Sequence, residues 1–199
     1  ITKAAGSFLV STGVTVTNNG SVTLTTGRVT YYSGSTWVNA ASSSLLVGLN
    51  MYVVSGSATL TATAAPNTVT FTNSGSYTMF PTNLVASFYH LNVLTTGAGS
   101  STKTLVRGTA INGTLTIGNT GSTTTLNANG KNLIIKGNLT FAGTTPNITN
   151  NTGTMTFNGA SGVQTISGTI ATLSIRNITV SNAAGVTNTE ATNISGTTT

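Results

Sequence analysis

The sequence predicts an all-β chain wound as a parallel β-solenoid of tandem repeats. Three features point there: short runs in which apolar and hydroxyl residues alternate strictly, Asn-Gly turn signals between the runs, and a near absence of charge. Alternation with period two marks strands with one buried face. Val14 and Val16 alternate with Thr15 and Thr17, and Val69 and Phe71 with Thr68, Thr70 and Thr72. Further along, Leu115 and Ile117 alternate with Thr114 and Thr116, Met155 and Phe157 with Thr154 and Thr156, and Ile178 and Val180 flank Thr179. Threonine is β-branched and fits a pleated surface, while its hydroxyl keeps the outer face wet. Asn19-Gly20, Asn112-Gly113, Asn129-Gly130 and Asn158-Gly159 punctuate the strands. No amphipathic helical period is present.

Charge decides between architectures. Eight residues are charged: Lys3, Arg28, Lys103, Arg107, Lys131, Lys136, Arg176 and the single acid Glu190. That is 4% of the chain, against about 25% in ordinary soluble domains. Stacked rungs hold like side chains about 4.8 Å apart, where repeated charges repel and Thr or Asn ladders hydrogen-bond. Solenoid coils of about 20–25 residues are therefore expected. Two β-sandwich domains with strand exchange between subunits fit the same strand spacing and stand as the alternative.

The chain also resembles itself. Phe71 matches Phe157 at an offset of 86, Leu91-Asn92-Val93 matches Ile178-Thr179-Val180 at 87, and Asn50–Val54 resembles Asn132–Lys136. This reads as an N-terminal β segment over residues 1–45, a first repeat unit over 46–118 and a second over 119–199. The N-terminal segment is expected to act as a donor strand or cap.

The stretch NGTLTIGNTGSTTTLNANGKNLIIKGNLTFAG (Asn112 to Gly143), then GTMTFNGASGVQTISGT and IRNITVSNAAGV, resembles the β-helical repeat regions of large microbial cell-surface, adhesin-like proteins. The likeness covers the second half well, residues 50–111 loosely and the first 45 poorly. It implies a secreted, elongated surface structure and assigns no catalytic or binding residue.

Composition removes most chemistry. Glycoside hydrolysis requires two carboxylates, a calcium site several, and Glu190 stands alone. A Ser-His-Asp triad lacks its Asp, a Cys-His pair lacks its Cys, and His90 is the sole histidine, too few for a zinc site. No phosphate-binding or dinucleotide motif occurs. We therefore expect no enzyme, cofactor or metal. The net charge of +6 is scattered, so no nucleic-acid partner is expected. The longest apolar run, Leu45 to Val54, is broken by Gly48 and Asn50 and is too short to span a bilayer. Nothing at the N-terminus has signal-peptide order, so an exported form would be a mature chain or a piece of a longer one.

The hydroxyl-rich, charge-poor composition points to an extracellular or cell-surface location. Seven N-x-[ST] sequons, at Asn19, Asn112, Asn138, Asn147, Asn150, Asn177 and Asn193, are candidate glycosylation sites. Adjacent Tyr31 and Tyr32 face opposite sides of a strand and, with Trp37, are candidates for an exposed aromatic contact. Glu190 could promote a Lys–Asn isopeptide bond. Thr-x-Thr runs such as Thr59–Thr63 could form a flat hydroxyl array for ice or crystalline polysaccharide.

Without caps, the end rungs of a solenoid keep unpaired backbone groups. We therefore expect assembly with copies of itself, by rung stacking or by donation of the strand Ser7 to Thr17. Phe8, Leu9, Val10, Val14 and Val16 would insert into a neighbour, giving head-to-tail filaments. An adhesin module binding glycans and an ice-binding protein are the alternatives.

Overall fold

The structure, a computed structural model, describes residues 1–119, 123–169, 173–190, 192–194 and 196–199. Every named element is a strand. The first turn of the chain contains β1 (Thr2–Val10) and β2 (Thr15–Asn18), and the second β3 (Ser21–Tyr31) and β4 (Thr36–Asn39). The third contains β5 (Ser44–Val47), β6 (Met51–Val53) and β7 (Ala58–Ala62). Four turns of three strands follow: β8 (Thr68–Thr72), β9 (Tyr77–Thr78) and β10 (Leu84–Phe88); β11 (His90–Thr95), β12 (Ser101–Thr104) and β13 (Thr109–Ile111); β14 (Leu115–Asn119), β15 (Thr123–Asn127) and β16 (Leu133–Ile135); β17 (Leu139–Ala142), β18 (Thr145–Thr149) and β19 (Thr154–Phe157). The eighth turn holds β20 (Gln164–Gly168), β21 (Leu173–Ile175) and β22 (Asn177–Val180), and β23 (Val186–Asn188) and β24 (Thr192–Ile194) follow it.

The first face stacks β1-β3-β5-β8-β11-β14-β17-β20-β23, and the second stacks β2-β4-β7-β10-β13-β16-β19-β22. A third face runs β9-β12-β15-β18. In the early turns β6 pairs with the second half of the long β3. Its Met51 N–H donates to the Met79 carbonyl beside β9, at 2.8 Å. Every strand pair among the described residues is parallel, so the chain is a β-solenoid of about eight turns. The sandwich alternative, which needs antiparallel strands, falls. Among the described residues no helix is long and apolar enough to cross a membrane.

The period of the structure is one turn, from 19 residues (Leu173 to Thr192) to 27 (Leu139 to Ile166). The longer self-similarity compares different faces. Phe71 lies on β8 of the first face and Phe157 on β19 of the second, and Leu91 and Ile178 are divided in the same way. Each face points alternate residues inward, so strands of unlike faces have like sequences. The sheets run without a break past residues 45 and 118.

The core follows from the register. Val22, Leu45, Val69, Leu91, Leu115, Leu139 and Ile166 stack in one inward column of the first face. All are buried. Their neighbours Thr70, Asn92, Thr116, Thr140 and Ser167 stack on the outside. Alternation thus becomes a dry lumen and a hydroxylated exterior, with burial of each large apolar side chain contributing about 1.5–3 kcal/mol.

Candidate functional site

The open ends of the stack are the candidate site. Among the described residues β1 has β3 as its only strand neighbour, β2 has only β4, and β23 has only β20. Behind β22, residues 197–199 form a last short rung: Ile178 N–H donates to the Thr197 carbonyl at 3.0 Å and Val180 N–H to that of Thr199 at 2.8 Å. At the first turn the lumen opens as a cleft of about 340 Å³ lined by Ile1, Phe8, Val16, Asn18, Val22 and Trp37, among others. Leu9 and Val14 of the same turn are 57% and 43% exposed. Val163 and Val180 are exposed at the opposite end.

The expected donor strand is a rung of its own stack. β1 is in register with β3 from Thr2 to Val10. Val10 is buried and Phe8 and Val16 are partly buried against the core, while Leu9 and Val14 point outward. Only the outward pair is available to a neighbour without dismantling the first turn.

Trp37 and Tyr31 are not exposed contacts. Both are fully buried, and Tyr32 is half-buried. Val16, Trp37 and Leu60 share an inward column of the second face. The indole meets Phe8 edge-on at 5.1 Å and its Nε1–H donates to Asn39 Oδ1 at 2.8 Å. Asn18 Nδ2 donates to the same oxygen at 3.0 Å. Burial also pushes the Tyr31 hydroxyl pKa up. The exposed aromatic is Tyr52, stacked outward beyond Leu9 and Thr30. Sequence reasoning missed it because it sits inside the apolar run Leu45 to Val54.

Two of the sequon asparagines hold neighbouring rungs together, and two others bond within their own rung. Asn138 Oδ1 accepts the Thr165 N–H at 2.9 Å, and Asn177 Oδ1 accepts the Thr197 N–H at 3.2 Å. Asn147 Oδ1 caps the Ile148 N–H, and Asn112 is half-buried. Asn150 is 4% exposed, with Nδ2 donating to the Gly153 carbonyl, which leaves no room for a sugar. Asn19 stands open at the corner after β2. The side chain of Asn193 lies outside the described residues.

His90 bridges turns: its Nδ1 accepts the Thr114 N–H at 2.9 Å, and burial lowers its pKa. Glu190 follows β23, whereas the buried lysine, Lys103, is on β12, so the two are not brought together for isopeptide chemistry.

Lys103 is the least expected residue of the lumen. It stacks between Tyr77 and Leu126 in an inward column and is fully buried. Its Nζ donates to the carbonyls of Asn73 (2.8 Å) and Gly75 (2.7 Å) and to Ser101 Oγ (2.8 Å), and lies 4.6 Å from the Tyr77 ring centroid. Ser101 and Thr95 share a hydrogen bond, and Thr124 Oγ1 lies 2.7 Å from Thr95 Oγ1 and 2.9 Å from the Gly118 carbonyl. Acceptors replace the missing carboxylate, and burial lowers the ammonium pKa from 10.5 to about 8. Between those values the unfolded chain binds a proton that the folded chain does not, so stability rises with pH. From pH 8 to 10 the expected gain is about 2 kcal/mol. Denaturant midpoints across this range should show the rise in the native chain and its loss in Lys103→Met.

No protein-family model matches the chain, and neither a curated protein nor a solved structure matches it.

Proposed function

We propose that the chain is a structural module of an extracellular filament, sheath or surface layer, in which copies stack end on end by β-strand pairing. One observation carries this reading: both main sheets run in register to end rungs whose outer edges have no strand among the described residues, with apolar side chains around them. Such edges are templates for pairing with a like edge. The likeness of residues 112–186 to the repeats of microbial surface proteins supports the compartment, and the shortage of acids supports a role without catalysis. Electron microscopy of the purified chain over a concentration series tests it. Unbranched fibres one solenoid wide are expected, and a monomer at every concentration would overturn the proposal.

The hydroxyl columns favour a second reading, contact with a periodic surface such as crystalline polysaccharide or ice. Thr15, Thr36 and Thr59 stack on the second face, beside Thr17, Val38 and Thr61. Retention on the crystalline polymer or thermal hysteresis is expected on this reading, and absence of both removes it.

A further inference from the structure

Scatter along the chain hides a ridge of positive charge on the side of the solenoid. Arg107, Lys131 and Arg176 stand where the chain turns into β13, β16 and β22, three strands of the second face. There Thr109 pairs with Leu133, Leu133 with Met155, and Thr154 with Asn177. Arg107 and Lys131 each lie two residues before the paired Thr109 and Leu133. Gly153 and Arg176 each lie one residue before the paired Thr154 and Asn177. Contacts keep the corner itself in step. The Thr109 N–H donates to the Asn132 carbonyl at 3.0 Å, and a Cβ on Gly153 would stand 2.2 Å from the Lys131 carbonyl oxygen. The fifth to eighth turns thus contribute Arg107, Lys131, Gly153 and Arg176 to one corner.

The same contacts space the charges. Stacked turns are about 4.8 Å apart, close enough for like charges to repel. Gly153 leaves the seventh turn without a side chain, so the backbones of Lys131 and Arg176 are about 10 Å apart. Arg107 is half-buried and reaches back to the fourth turn, its Nη1 donating to the carbonyls of Thr82 at 3.2 Å and Leu84 at 3.0 Å. Its charge is thereby drawn away from Lys131. Lys131 and Arg176 are exposed, and neither side chain bonds to a described residue. Residues 105–180 contain no acid.

A row of cations parallel to the solenoid axis fits a linear anion laid along it. We propose that this corner binds an acidic polysaccharide, whose carboxylates or sulfates meet Arg107, Lys131 and Arg176 in turn. Such a chain carries one anionic group per sugar ring or per pair of rings, a density suited to cations one or two turns apart. The next residues in each turn, Asn132, Thr154 and Asn177, offer amides and a hydroxyl to the sugar hydroxyls. Nucleic acid fits less well. Duplex DNA carries a charge every ~1.7 Å of its axis, and single strands stack on aromatic side chains. None of residues 105–110, 129–134, 151–156 and 174–179 is aromatic. The ridge lies on the side of the solenoid, so it is independent of whether copies stack end on end.

Titration calorimetry of the full chain with polygalacturonate in about 0.1 M salt, against the neutral glucan dextran, tests the assignment. The native chain should bind the first and not the second. The double variant Lys131→Gln, Arg176→Gln should bind about tenfold more weakly, about threefold for each exposed cation. Its thermal midpoint should match the native one, because neither side chain supports the fold. Lys3→Gln with Lys136→Gln removes the same charge elsewhere. Lys3 lies in β1, and Lys136 follows β16, five residues of chain or about 16 Å beyond Lys131, more than the Debye length of about 10 Å. This control should stay within about twofold of native affinity. Equal weakening of the two double variants, or no binding to polygalacturonate, would overturn the site. Tighter binding of duplex DNA in the same buffer would overturn the choice of polysaccharide.

Discussion

Trp37→Ala is expected to lower the stability of the chain by about 3–5 kcal/mol, the cost of emptying a fully buried aromatic site. The indole is sandwiched in its column between Val16 and Leu60, meets Phe8 edge-on, and holds Asn39 through its ring N–H. Truncation therefore removes three kinds of support at once: packing, an aromatic edge contact worth about 0.5–1.5 kcal/mol, and the donor to a buried carbonyl oxygen. Trp37→Phe keeps most of the volume and should lose about 1–2 kcal/mol, chiefly the hydrogen bond. The loss is also expected to be local. In a solenoid each turn touches only its neighbours, so stability is roughly a sum over turns and their interfaces. Amides of β2, β4 and β7 should lose protection against hydrogen exchange, while those of β16 and β19 keep theirs. Denaturation followed by circular dichroism, together with exchange, reads both effects. A native midpoint in Trp37→Ala would mean that the indole lies on the surface.

The fold class was legible because alternation and burial coincide in the middle turns. Leu115 and Ile117, Met155 and Phe157, and Val69 and Phe71 all point into the lumen as their spacing requires. At the end turns the same pattern no longer implies burial: Val14 and Val180 belong to alternating runs yet are exposed, the first on the first turn and the second covered only by the short rung 197–199. Assignment of strands to faces was not legible, since each face presents the same inward-outward alternation. That is why Phe71 and Phe157 looked equivalent. Lys103 was hidden for a related reason. In β12 the inward positions are Ser101 and Lys103 and the outward ones Thr102 and Thr104, so hydropathy shows no alternation at all. Trp37 was misplaced because a lone aromatic near two tyrosines suggests a surface platform. Its neighbours Thr36 and Val38 take the outward positions instead.

Gly48→Ala is expected to cost about 3 kcal/mol although it adds one methyl group, at the upper end of what overpacking costs. A Cβ there would lie 1.9 Å from the Thr25 carbonyl oxygen and 2.4 Å from its carbon, atoms of the preceding turn. The contact arises from the way the corner is built. Gly48 N–H donates to the Leu24 carbonyl at 2.7 Å and Leu49 N–H to that of Gly27 at 2.9 Å, which draws two turns together where the chain leaves the first face. Gly6 and Gly27 pair in the turns before, and a Cβ on Gly27 would stand 2.5 Å from the Gly6 carbonyl oxygen. Because the obstacle is backbone on both sides, no rotamer change relieves it. The two turns must separate, and the hydrogen bonds that set their spacing lengthen with them. Gly20→Ala is the control: nothing lies within 4 Å of its Cβ position, and a change of under about 0.5 kcal/mol is expected. Equal denaturation midpoints for the two variants would mean that the corner tolerates side chains. Unequal ones, with Gly48→Ala far lower, would show that this solenoid depends on backbone-to-backbone contact at its corners as well as on its apolar lumen. The same dependence explains why a chain with so little charge holds one register over eight turns.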